Sequence, residues 1–143
     1  MATTDVIEVL GGRKVLREKI ANPLELHEKT RQGFPYAAFD SVRSTLRLTR
    51  GEAARAIGVP ERTVARRKKE KRFNALESDR LLRIARVGAL AVEILGNEDN
   101  ASQWLKKANY ALGARPPLDL LDTDAGTKSV EDVLWQIAYG IVS

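Results

Sequence analysis

The chain contains no cysteine, which excludes disulfide bonds and thiolate metal sites. Its one histidine, His27, cannot assemble an imidazole metal centre and, with Glu25 and Glu28 beside it, reads as a surface residue. No stretch approaches the roughly 18 uninterrupted apolar residues of a membrane helix. The opening MATTDVIEVLGGRK lacks the basic region and apolar run of a signal peptide. These absences lead us to expect a protein of a reducing cytoplasm, with no membrane partner. Gly11-Gly12 lacks both the lysine and the preceding strand of a phosphate-cradling loop. The carboxylates at Glu98-Asp99, Asp122-Asp124 and Glu131-Asp132 come with no histidine and no apolar pocket pattern, and helix capping accounts for most of them. Neither catalysis nor a cofactor is expected.

What the chain does have is charge in one place. Residues 1–42 carry 6 basic and 6 acidic side chains, residues 43–86 carry 14 and 5, and residues 87–143 carry 4 and 8. The net charge of +5 therefore conceals a middle segment at +9 and a C-terminal third at −4. A polyanion suits the middle, and a different partner, or none, suits the end.

Strand alternation is almost absent and apolar residues recur at helical spacing, so an all-α fold is expected. Val6, Ile7 and Leu10, then Val15, Leu16 and Ile20, suggest short helices broken at Gly11-Gly12 and closed before Pro23. A helix follows from Leu24 to about Arg31, and after Gly33-Phe34-Pro35 another places Ala37, Ala38, Val42 and Leu46 on one face. Asn74 with Glu77 forms a capping-box pair ahead of a stripe of Leu81, Ile84, Gly88, Ala91 and Leu95, with Gly96 as the stop. Trp104 and Leu105 lie on a further helix, Pro116-Pro117 opens a short one at Leu118–Leu121, and Ser129 with Asp132 is expected to cap the last. Charge and helix pattern both change near Gly96, giving expected domains at 1–92 and 93–143. Residues 1–32 fit either a dimer interface or a layer packed beside the helix-turn-helix.

The segment EAARAIGVPERTVARRKKEKRF carries the spacing of a helix-turn-helix. Ala53 and Ala54 are small where two helices must approach, and Gly58 stands where the turn wants positive φ. Ile57, Val59 and Val64 fill the angle between the helices, while Pro60 and Glu61 suit the first turn of the second. That second helix presents Arg62 and Arg66 as candidate base readers, since a guanidinium can pair bidentately with guanine. Thr63, Arg67, Lys69, Lys71 and Arg72 complete the candidate DNA surface, chiefly as phosphate contacts. Arg67 stands where such motifs often bury an aliphatic residue, so its stem is expected to cover apolar surface and its head to reach out. A basic solvated helix in an ordinary bundle is the plainer reading. RNA is a further partner allowed by charge, although the segment offers no aromatic stacking platform. Trp104, Tyr110, Trp135 and Tyr139 are spaced as core or interface anchors.

The stretch ERTVARRKKEKRFNALESDRLLRIARV, followed by ASQWLKKANYALGARPPLDLLDTDAGTKSVEDVLWQIAYGIVS, closely resembles the Xre/MbcA/ParS group of type II antitoxins, over about residues 33–143. The most specific pieces are Glu77–Leu81, Trp104-Leu105, Ala111–Gly113, Pro117–Leu121 with Thr123 and Gly126, and Leu134, Ile137 and Gly140. The resemblance implies a helix-turn-helix DNA-binding domain joined to a C-terminal helical toxin-binding domain. It implies a bacterial homodimer that binds double-stranded operator DNA and a cognate toxin, commonly a RES-domain protein that depletes NAD. It also places Trp135, Tyr139, Gly140, Ile141, Val142 and Ser143 at the toxin's active-site entrance. Gln136 and Ala138 depart from the Arg and Glu found there in many relatives. A stand-alone helix-turn-helix repressor, its C-terminal part serving dimerisation or sensing, is the alternative reading.

Overall fold

The computed structural model describes the backbone of residues 3–140 and the side chains from Asp5 onward. Among these residues every regular element is helical: α1 (Thr3–Val9), α2 (Gly12–Leu16), α3 (Pro23–Gln32), α4 (Tyr36–Leu46), α5 (Arg50–Ala56), α6 (Glu61–Glu70), α7 (Ala75–Leu95), α8 (Glu98–Lys106) and α9 (Asp124–Ala138). Two short 3₁₀ turns, Tyr110–Leu112 and Pro117–Leu120, join the last two helices. No helix among the described residues is long and apolar enough to cross a membrane.

Most helix starts follow from a capping side chain. Asn22, Thr49, Asn74 and Asn97 each accept the backbone N–H three residues on, and Thr49 with Glu52 and Asn74 with Glu77 form reciprocal boxes. The last helix departs from expectation. It is capped by Thr123, which accepts from the Gly126 N–H at 2.9 Å, six residues before Ser129, whose hydroxyl instead donates to the Ala125 carbonyl in mid-helix. Gly126 permits this start, because a Cβ there would stand 2.1 Å from the Leu120 carbonyl oxygen.

The 21-residue α7 is the axis of the molecule, and α1, α3, α4, α8 and α9 all pack against it. Leu81, Ile84, Val87, Leu90 and Ala91 are buried, and at Gly88 a Cβ would lie 2.8 Å from Leu46, which is how α4 comes so close. One apolar cluster runs from Val6 to Leu134. Leu10 and Leu16 are fully buried in it, so α1, α2 and α3 form a packed layer on α7 and α4. The expected division at residue 92 falls inside α7, not in a connecting segment. On α4 the buried face comprises Tyr36, Ala38, Phe39, Val42 and Leu46, with Ala37 turned to solvent.

One glycine sets the entry to the basic region. A Cβ on Gly33, at φ 98°, would stand 2.2 Å from the Phe73 carbonyl oxygen, so only glycine lets the α3–α4 link pass the chain leaving α6. The two strips are joined by Phe73 N–H to the Phe34 carbonyl at 3.0 Å and Tyr36 N–H to the Lys71 carbonyl at 3.0 Å. Tyr36, Phe39 and Phe73 close over this crossing with ring centroids 5.5–5.7 Å apart.

Candidate nucleic-acid interface and partner interface

α5 and α6 form the helix-turn-helix that the spacing predicts. Ala53, Ala54, Ile57, Val59 and Val64 are buried at the angle, and Gly58 turns the chain at φ 68°. The turn is held from behind by Arg80, which donates to the carbonyls of Ile57 and Gly58 at 3.5 and 3.4 Å. Pro60 stands just before α6 and supplies the extended residue that caps it. With Val64 facing inward, Arg62, Ala65, Arg66, Lys68 and Lys69 face solvent and Thr63 is half-buried.

The structure corrects the expectation for Arg67. Its head turns inward: Nε and Nη2 donate to the two carboxylate oxygens of Glu77 at 2.8 and 3.0 Å, and Nη1 to Glu70 at 2.8 Å. Glu77 is buried at the start of α7, and a carboxylate without a cation there would be costly, which is what draws the guanidinium in. The hydrogen bonds to Glu77 first, and to Glu70 second, bind the Arg67 proton more tightly than usual. Arg72 is also engaged, donating from Nη1 to the carbonyls of Gly33 at 2.9 Å and Gln32 at 3.3 Å. Lys71 closes α6 in the left-handed region at φ 67° and leaves its ammonium exposed.

At the other end of the molecule, α9 buries Val130, Val133 and Leu134 against α7 and turns Trp135 and Tyr139 outward, 39% and 75% exposed. Their rings stack with centroids 6.0 Å apart at 26°. Gly140 follows at φ 75°, and Ile141, Val142 and Ser143 lie outside the described residues. Tyr110, on the 3₁₀ turn that packs beside α9, is 94% exposed, whereas Trp104 is half-buried against the core. The acidic pairs have structural duties: Glu98 and Asp99 begin α8, Asp99 meets Arg47 at 3.1 Å, Glu131 meets Arg86 at 3.1 Å, and Asp132 meets Lys128 at 3.3 Å.

The two surfaces are joined without a gap. Lys106 of α8 bonds to the Arg47 carbonyl and stands 3.7 Å from Glu52 of α5, while Arg83 of α7 donates to the Leu121 carbonyl at 3.3 Å. Sequence reasoning did not single out these ties. Lys106 and Arg83 carry no local mark that separates them from other surface cations.

Comparison with known proteins matches residues 25–86 to the antitoxin Xre-like helix-turn-helix domain and residues 90–140 to the antitoxin Xre/MbcA/ParS C-terminal toxin-binding domain. Among curated proteins, the antitoxin Xre of Photorhabdus laumondii is 34% identical over 114 residues, covering 78% of this chain and 77% of its own. That of Yersinia enterocolitica is 32% identical over 120 residues, covering 82% and 81%. Antitoxin Xre of Pseudomonas putida is 33% identical over 123 residues, covering 85% and 76%. A chain in the crystal structure of the M. tuberculosis MbcT-MbcA toxin-antitoxin complex superposes with a TM-score of 0.58 at 26% identity, over 76% of this chain and 96% of that one. The basic helix-turn-helix and the exposed aromatic helix end thus lie in the two matched domains, and the chain belongs to the Xre family of antitoxins.

Proposed function

We propose that this antitoxin neutralises a RES-domain, NAD-depleting toxin by covering its active-site entrance, and that it represses its own promoter as a homodimer. The observation that carries the first part is the stacked, exposed Trp135–Tyr139 pair at the end of α9. Two aromatic rings left in water on a helix whose other face is fully packed have the character of interface anchors, which supply most of the energy in many protein complexes. Residues 93–143 form the neutralising part in this reading, with Gly140, Ile141, Val142 and Ser143 extending the contact. The net charge of −4 over residues 87–143 favours a partner whose entrance is basic, as a pocket for a phosphate-bearing dinucleotide is.

Residues 1–92 read the DNA. Arg62 and Arg66 meet base edges, Thr63 and Lys69 stand beside them, and Lys71 meets phosphates. Two copies related by a two-fold axis place their α6 helices on half-sites about one DNA turn apart, or a multiple of it.

The test is expression of the gene adjacent to this one, alone and together with this chain, while growth and cellular NAD are followed. The proposal expects arrested growth with falling NAD, and recovery of both when the full chain is present. A harmless neighbour, or arrest with NAD unchanged, would remove the RES assignment. Titration of the promoter duplex with the purified chain tests the second part, and equal affinity for promoter and scrambled DNA would remove it.

A further inference from the structure

α7 carries four charged residues three apart, Glu77, Arg80, Arg83 and Arg86, and each is bonded to a different part of the molecule. Arg86 meets Glu131 of α9 at 3.1 Å, Arg83 the Leu121 carbonyl at 3.3 Å, Arg80 the helix-turn-helix turn at 3.4 Å, and Glu77 the α6 residue Arg67 at 2.8 Å. The last tie differs from the others in strength and burial. Both partners are mostly shielded, with side chains 18% and 8% exposed, and the guanidinium meets the carboxylate with two parallel bonds. Glu77 cannot swing, because it also accepts the Asn74 N–H at 3.0 Å as part of the α7 cap. A forked pair of this kind fixes direction as well as distance. Arg67 lies one residue from Arg66 and five from Arg62, so the pair sets how those two side chains are presented.

We infer that the Arg67–Glu77 pair is a positioning device for operator recognition, so that the acidic Glu77, which touches no DNA, is required for sequence-specific binding. The inference rests on the reading of α6 as the DNA-reading helix. It has an unusual consequence. Removing a negative charge from a DNA-binding protein ordinarily strengthens its grip on every duplex, yet Glu77→Gln weakens the grip on the promoter.

The experiment titrates the full chain against the promoter duplex and a scrambled duplex over a series of salt concentrations. Glu77→Gln and Arg67→Lys, the second keeping the charge but losing the fork, are each expected to lose about ten- to a hundredfold on the promoter, the equivalent of one base contact. Both are expected to hold the scrambled duplex at least as well as the wild type does, with the salt slope unchanged. The swap Arg67→Glu with Glu77→Arg, which restores the pair but not the α7 cap, is expected to recover part of the loss, and an unchanged affinity for the scrambled duplex excludes damage to folding as its cause. Promoter affinity at the wild-type level in Glu77→Gln would overturn the inference. So would an Arg67→Met variant that loses equally on both duplexes with a slope smaller by about 0.9, the mark of a lost phosphate contact. A wild-type chain that does not distinguish the two duplexes would remove the reading of α6 itself, a result separable from either.

Discussion

α6 and α7 each carry three arginines, and the two sets are put to opposite uses. Arg62 and Arg66 of α6 face solvent, whereas Arg80, Arg83 and Arg86 of α7 are half-buried and bonded to the molecule's own carbonyls and carboxylates. Arg67 sits on the basic helix and behaves like the second set. A charge count over residues 43–86 gives +9 without separating them. What separates them is whether a partner stands within reach, so the positive charge left without a partner at the surface is smaller than the sequence total.

That contrast can be broken in graded steps. Between α7 and α9 the Arg86–Glu131 pair lies beside a buried apolar contact that outweighs it. Leu134→Ala, at a fully buried site, is therefore expected to lower stability by about 2–5 kcal/mol in chemical denaturation. Next, Arg62→Ala or Arg66→Ala is expected to cost about 1–3 kcal/mol on the promoter and to relax preference at one base, with the melting temperature unchanged. Gly58→Ala should cost about 1 kcal/mol of stability: there is room for a methyl group, but φ 68° disfavours any residue with a Cβ. Arg86→Ala breaks a bond between partly exposed partners and is expected to cost no more than about 1 kcal/mol, with no change on DNA.

The smallest effect concerns pH. The Thr49 N–H, donating to the Glu52 carboxylate, holds that group below its ordinary value of 4.5; burial opposes this and Lys106 adds to it. A lowered folded-state pKa means that the unfolded chain binds the proton more readily. The stability it contributes is complete above 4.5 and fades as pH falls through the lower folded value. In Glu52→Gln the melting temperature should accordingly vary less steeply with acidification below pH 4.5.

The helix-turn-helix was legible because its requirements are local. Ala54, Gly58 and Val64 lie within eleven residues and each meets a steric demand of the same corner. The start of α9 was not legible from the apolar pattern, since residues 124–129 contain no large apolar residue and Thr127 is buried through a hydroxyl bonded to the Thr123 carbonyl at 2.8 Å. The better signal was Thr123 with Gly126, a cap followed by a residue that can approach the preceding turn. The pairing of Arg67 with Glu77 depends on the angle between two helices, which spacing alone does not fix. Two marks were available in the sequence: an arginine at a position that usually packs, and a carboxylate at a capping position able to serve a second donor. The expected division at residue 92 lies inside α7, whose apolar stripe continues to Leu95, and close to where the two matched domains meet, between residues 86 and 90.

The central claim is that two separate surfaces of one rigid body serve two partners. Cutting the chain ahead of α9 would test it poorly, because Val130, Val133 and Leu134 would leave the core with it. Surface substitutions avoid that. The most direct measurement places three full-length forms in cells that carry the adjacent gene and a promoter reporter: the wild type, Trp135→Ala with Tyr139→Ala, and Arg62→Ala with Arg66→Ala. The account predicts that the aromatic variant represses the reporter but fails to restore growth, and that the arginine variant restores growth but fails to repress. Growth restored in full by the aromatic variant, at equal protein level, would contradict it.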